Sequence, residues 1–142
     1  MKIAILGTGS VGRAHAGKLA KLGHEVMVGT HDPEKTMTKT ETDAMGTPPY
    51  SDWQKEHPQV KLVTFAEAVK NGEMIFNALK GEFVEETLKP LMEDLKGKVM
   101  VDIANDLDFS KGMPPTLIVC NTDSLGEQVQ RAFPEVKVVK AF

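Results

Sequence analysis

Three glycines near the start of the chain, Gly7, Gly9 and Gly12, stand in G-x-G-x-x-G spacing directly after a β-branched apolar run, Ile3 to Leu6. An amphipathic helix is expected to begin at once behind them. In that order each glycine has a physical task. Gly7 permits a tight turn, Gly9 lets backbone approach a pyrophosphate, and Gly12 lets the helix pack closely on the strand. Phosphate oxygens would then meet free N–H groups at the positive end of that helix, with Thr8, Ser10 and Val11 filling out the loop. The chemistry implied is binding of a dinucleotide.

A second group of residues bears on which dinucleotide. About 20 positions after the glycines, enzymes that prefer NAD place an acidic residue on the ribose 2′-hydroxyl. Gly29 occupies that place here, followed by Thr30, His31 and Asp32. Glycine is expected to leave room for a 2′-phosphate. Thr30 and His31 can donate to it, and Lys35, one helical turn on, adds positive charge. Asp32 would repel such a phosphate, but Pro33 follows it, so Asp32 reads as a helix N-cap with proline at N1. The balance favours NADP over NAD.

Other reactive side chains read as structural. Asp102 at a strand end and Asp108 in a loop are assigned to structure and to capping, and His15 and His24 to structure. His57 carries no signal. Trp53 could cover an adenine, although anchoring its own loop is the stronger reading. There is no Ser/His/Asp set, no pair of catalytic carboxylates and no Cys/His cluster with zinc spacing, so no catalytic residue and no metal ligand is assigned.

These residues need a frame to position them, and 142 residues are enough for one ordinary domain with a real core. Apolar residues make up 41% and charged residues 26%, a globular balance. A net charge of −3 gives no electrostatic case for nucleic acid or an anionic membrane. Apolar runs are strand-length, far short of the ~20 residues that span a bilayer. The single cysteine, Cys120, has no internal disulfide partner. A cytoplasmic setting is the expectation.

The pattern predicts a helix over 10–22 with Val11, Ala14, Leu19 and Leu22 on its buried face, and a strand over 24–28. Residues 36–43 are polar, and 45–58 form a surface excursion with a short helix near 51–56. Strands are predicted at 60–63, 73–79, 98–103 and 136–142, with a further short or extended segment at 116–120. Thr64 to Glu67 and Ser124 to Glu127 have capping-box spacing, so each should open a helix. A third helix over 81–95 should kink or divide at Pro90. Residues 104–115 read as a long loop.

Strand–helix units in this order imply an α/β fold, a doubly wound parallel sheet in three αβα layers. Ligand should lie outside the carboxyl ends of the strands. Three loops converge there: 7–12, 78–82 and the one that starts at Ala104.

The blocks Ile5-Leu-Gly-Thr-Gly-Ser-Val-Gly12, Gly23-His-Glu-Val26, Gly29-Thr-His-Asp32, Lys98-Val-Met-Val-Asp-Ile-Ala-Asn105 and Val138-Val-Lys-Ala-Phe142 together resemble the NADP oxidoreductases that depend on the deazaflavin coenzyme F420. The likeness covers that family's N-terminal Rossmann domain nearly end to end, so residues 1–142 are expected to form a single NADP-binding domain. It implies that Thr8 to Gly12 hold the pyrophosphate and that Thr30, His31 and Lys35 surround the 2′-phosphate. It also implies that Ala78, Leu79, Ala104 and Asn105 line the nicotinamide, with Ala141 closing that end. Hydride transfer between NADPH and the deazaflavin is the implied reaction. A flavin, an imine or a metal chelate as acceptor, or a non-catalytic NADP-sensing module, are the alternatives. His31 stands where the family usually has arginine, and Asp106 where proline commonly follows the asparagine. Family members continue into a C-terminal segment that helps form the deazaflavin site and a homodimer. The expectation is that this chain is a shortened version of such a protein, with a minimal domain as the alternative.

Overall fold

The structure, a computed structural model, describes residues 1–43 and 45–142. Strand β1 (Lys2–Leu6) leads through the glycine loop into helix α1 (Ser10–Lys21), then β2 (Glu25–Thr30), α2 (Pro33–Thr38) and α3 (Tyr50–Glu56). Next come β3 (Lys61–Thr64), α4 (Phe65–Asn71) and β4 (Met74–Asn77). The long helix expected over 81–95 is broken around Pro90. It consists of α5 (Val84–Leu88) and α6 (Met92–Leu95), separated by a 3-10 turn at Lys89–Leu91 and preceded by another at Gly81–Phe83. The chain continues through β5 (Val99–Asp102), two two-residue strands β6 (Leu107–Asp108) and β7 (Thr116–Leu117), α7 (Leu125–Ala132) and β8 (Lys137–Lys140).

Six strands form one parallel sheet in the order β3-β2-β1-β4-β5-β8. Strand order reverses between β1 and β4, so that pair marks the topological switch point. Alternation along β1 shows why the sheet is covered twice. Ile3 and Ile5 join Ala16, Val26, Val28, Tyr50 and Val60 on one side. Ala4 and Leu6 join Ala68, Val69, Leu88, Leu95 and Phe133 on the other. Both faces are apolar, as a central parallel strand requires.

Local signals set several boundaries. The Asp32 carboxylate accepts from Lys35 N at 2.9 Å with Pro33 at N1, and the Thr64 and Ser124 hydroxyls accept from Glu67 N and Glu127 N. Each removes one unpaired donor from a helix start.

Three expectations are corrected. Val11, Ala14 and Leu22 are exposed, and the buried residues of α1 are Gly12, Ala16 and Gly17. The helix lies so near its neighbours that small residues fit where larger apolar ones do not. A Cβ on Gly17 would stand 2.8 Å from His57 Nε2. The loop expected over 104–115 contains β6, which pairs antiparallel with β7. The second strand runs on to Thr30, which brings Gly29 into the sheet.

Candidate dinucleotide site

The carboxyl ends of β1 and β4 meet at the switch point, and the glycine loop fills the corner between them. Gly7 has φ +116°, and a Cβ there would lie 2.5 Å from the Ala78 carbonyl oxygen. A Cβ on Gly12 would overlap the Gly7 carbonyl oxygen and reach Ala78 Cβ at 3.5 Å. These two glycines are therefore required by protein atoms. Gly9 differs: a Cβ on it would meet no atom within 4 Å. Beyond Gly9 the N–H groups of Ser10, Val11 and Gly12 precede the first helical hydrogen bond, from Arg13 N to Gly9 O at 3.0 Å. Thr8 is half-buried, while Gly9, Ser10 and Val11 are exposed. An open space faced by unpaired N–H groups at the positive end of a 12-residue helix fits a phosphate.

Arg13 holds this loop in place. Its Nε donates to Thr8 O at 2.7 Å and its guanidinium donates to Pro48 O at 2.6 Å, while Cζ lies 5.3 Å from the Tyr50 ring centre. Burial lowers the Arg13 pKa from the ordinary arginine value, with Tyr50 and Asp43 pulling the other way. Burial likewise pushes the Tyr50 phenol up. Nothing in the local pattern singles out Arg13, because beside the nearby Thr8 carbonyl its guanidinium reaches a backbone carbonyl 35 positions away. Arg13→Ala is expected to cost about 2 kcal/mol, the scale of hydrogen bonds made by a charged group. Urea unfolding measures the cost, and limited proteolysis should find the chain at Pro48 and Pro49 cut faster.

Trp53 stacks on His57 at 4.2 Å and touches Tyr50 at 5.3 Å, so it anchors the α3 excursion against α1. His57, which looked silent in the sequence, completes that stack.

At the end of β2 the geometry narrows the expected donor set. The Thr36 hydroxyl donates to Asp32 O at 2.8 Å, so in the 2.9 Å contact between hydroxyls it is Thr30 that donates to Thr36. Thr30 is also buried, and its side chain is thus committed internally rather than outward. The room expected at Gly29 is taken as well: a Cβ there would sit 3.1–3.2 Å from Phe65, Ala68 and Leu6. Glycine at this position serves the packing of α4 on the sheet. His31 and Lys35 remain exposed, and among the described residues neither side chain has a hydrogen-bond or ion-pair partner.

On the other side of the switch point, Ala78 and Leu79 leave β4 and Ala104 and Asn105 follow β5. Ala78 N donates to Leu6 O, which ties this loop to β1. Ala104 is buried and Asn105 exposed. Ala141 N donates to Asp102 O at 2.9 Å just beyond β8. The next residue, Phe142, brings its ring within 6.2 Å of His15 on α1. The structure thus gathers the glycine loop, Ala78-Leu79, Ala104-Asn105 and Ala141 at one edge of the sheet, with His31 and Lys35 beyond β2. Asp108 caps its loop by accepting from Ser110 N at 2.8 Å, and Asp102 is wholly enclosed. Among the described residues no His, Cys, Asp and Glu cluster could hold a metal ion, and no helix is long and apolar enough to cross a membrane.

Comparison with known proteins bears on this site. The model of the family described as NADP oxidoreductase, coenzyme F420-dependent, matches residues 2–106. The chain is 34% identical over 144 residues to the F420-dependent NADP reductase of Methanocaldococcus jannaschii, covering all of this chain and 62% of that protein. It is 30% identical over 142 residues to the metalloreductase STEAP3 of Rattus norvegicus, covering 99% of this chain and 24% of that one. A crystal structure described as an F420-dependent NADP-reductase from Arthrobacter sp. FB24 superposes with a TM-score of 0.90 at 55% identity, over 99% of this chain and 61% of its own. The chain therefore spans about three fifths of the length of these two F420-dependent reductases.

Proposed function

This chain belongs to the coenzyme F420-dependent NADP oxidoreductase family, and we propose that it binds NADP(H) along the carboxyl edge of its sheet for hydride exchange with a deazaflavin. The observation that carries the reading is the open cradle at Gly9, faced by the N–H groups that begin α1. Those groups hold the pyrophosphate, and residues 8–12 shape its path. His31 and Lys35 meet the 2′-phosphate, the one group that separates NADPH from NADH. Ala78, Leu79, Ala104, Asn105 and Ala141 wall the nicotinamide end with backbone and small side chains, which orient the ring and keep water out. Bound NADPH supplies the hydride, and exchange between two ring systems calls for no protein acid or base. Residues 1–142 act as one nucleotide-binding unit.

The family resemblance supports a homodimer. The exposed, unbridged thiol of Cys120 supports a reducing, cytoplasmic setting. A metal chelate is the second reading of the acceptor, favoured by the similarity to a metalloreductase. NADPH consumption with coenzyme F420, a flavin, an imine and a ferric chelate separates these acceptors. The cofactor assignment itself is tested by the double variant His31→Ala/Lys35→Ala. Its NADPH affinity should fall about tenfold, on the scale of a charge-assisted hydrogen bond, with NADH affinity unchanged. Equal loss for both dinucleotides would remove His31 and Lys35 from the phosphate site.

A further inference from the structure

We propose that Asp102 and Lys140 are a positioning pair that fixes the two backbone segments at the nicotinamide end. This rests on the reading above, in which Ala78-Leu79 and Ala104-Asn105 face that ring.

Asp102 is fully buried at the carboxyl end of β5. Its Oδ1 accepts from Asn77 Nδ2 at 2.8 Å and from Ala104 N at 3.2 Å. Asn77, equally buried at the end of β4, uses its own Oδ1 to accept from Leu79 N at 3.3 Å. One carboxylate thus sets the start of both segments, one directly and one through Asn77. Its second oxygen, Oδ2, has no hydrogen bond, and Lys140 Nζ lies 3.5 Å away as an ion pair.

Lys140 closes the arrangement from β8. Its ammonium donates to Ala104 O at 2.5 Å and to Asp102 O at 3.3 Å, so Ala104 is held by its N–H and by its carbonyl. The lysine stem runs across α7 at Gly126, where an added Cβ would stand 3.1 Å from Lys140 Cδ. The missing side chain at 126 makes the channel along which the stem is laid.

A carboxylate this deeply enclosed is a poor device for stability alone, because desolvation offsets most of the attraction between paired ions. What charges with fixed partners deliver is defined placement of the atoms they bond. Here those atoms are the backbone groups of Leu79 and Ala104 beside the switch point.

Lys140→Met keeps the stem and removes the ammonium, and Asp102→Asn keeps the shape and removes the charge. Lys140 lies on an edge strand and is partly exposed, so its variant tests the idea even if Asp102→Asn fails to fold. Three readouts are needed: NADPH affinity, affinity for adenosine 2′,5′-bisphosphate, which lacks the nicotinamide, and the emission spectrum of bound NADPH. In Lys140→Met the NADPH affinity should fall about tenfold, the scale of a charge-assisted hydrogen bond, and the emission should shift. Affinity for the bisphosphate should stay within about twofold, and Lys140→Arg should restore most of the NADPH affinity. Equal changes for both ligands, or no change for either, would overturn the pair's role. Failure of the wild-type chain to bind either ligand would instead overturn the cofactor reading beneath it, and the pair with it.

Discussion

Valine at Gly9 is expected to weaken NADPH binding about 100-fold while the protein stays folded. The backbone there is extended, with φ −72° and ψ 177°, and beyond its two chain neighbours no protein atom lies within 4 Å of the added Cβ. Folding therefore loses only the modest advantage of glycine over valine as an N-cap, about 1 kcal/mol. The ligand loses far more, because two methyl groups would enter the space that the N–H groups of Ser10 to Gly12 face. An affinity loss of about 100-fold corresponds to 2–3 kcal/mol, the ordinary scale of overpacking. Calorimetric titration with NADPH, beside thermal unfolding, separates the two effects. Unchanged affinity in a folded Gly9→Val protein would place the pyrophosphate elsewhere.

Valine at Gly7, two positions earlier, should do the reverse and strongly destabilise the fold whether or not cofactor is present. Gly7 sits at φ +116°, where a β-branched residue is an outlier, and its Cβ would be 2.5 Å from the Ala78 carbonyl oxygen. Backbone strain of about 1–3 kcal/mol and overpacking of a similar size together approach the whole stability of an ordinary domain. Urea unfolding should show a midpoint shifted far down, with no recovery on adding NADPH. A Gly7→Val protein of wild-type stability would mean that β1 and β4 do not meet as described. Two glycines of one motif would then be told apart, one serving the ligand and one the fold.

The sequence carried the frame of this molecule because its signals there are local. A capping box, a Pro at N1 or a Pro inside a helix acts within one turn, and Thr64, Ser124, Asp32 and Pro90 all act where their spacing places them. Short apolar runs mark the strands of the main sheet. The pairing of β6 with β7 escaped because two-residue strands are too short to show a period. The buried face of α1 was misread because ranking by hydrophobicity puts Val11 and Leu22 inward, while close approach selects Gly12, Ala16 and Gly17.

At the site, contacts distant in sequence add what the local pattern does not show. Gly29 looked like vacant space, and only the placement of Phe65 and Ala68 shows that α4 fills it. Thr30 is expected at the phosphate, and the structure adds that its hydroxyl meets Thr36. Arg13 gave no sign in the sequence, since its role depends on where Pro48 and Tyr50 fold back. Asp102 was read as structural, and its burial agrees, but Asn77 and Lys140 lie 25 and 38 positions away.

The central claim is that this chain binds a dinucleotide carrying a 2′-phosphate, with the pyrophosphate over Gly9 and the phosphate at His31 and Lys35. Titrating the wild-type chain with NADPH and with NADH under identical salt tests it most directly. NADPH should bind about tenfold or more tightly, the difference that one charge-assisted phosphate contact supplies. Equal affinities, or tighter binding of NADH, would contradict the account.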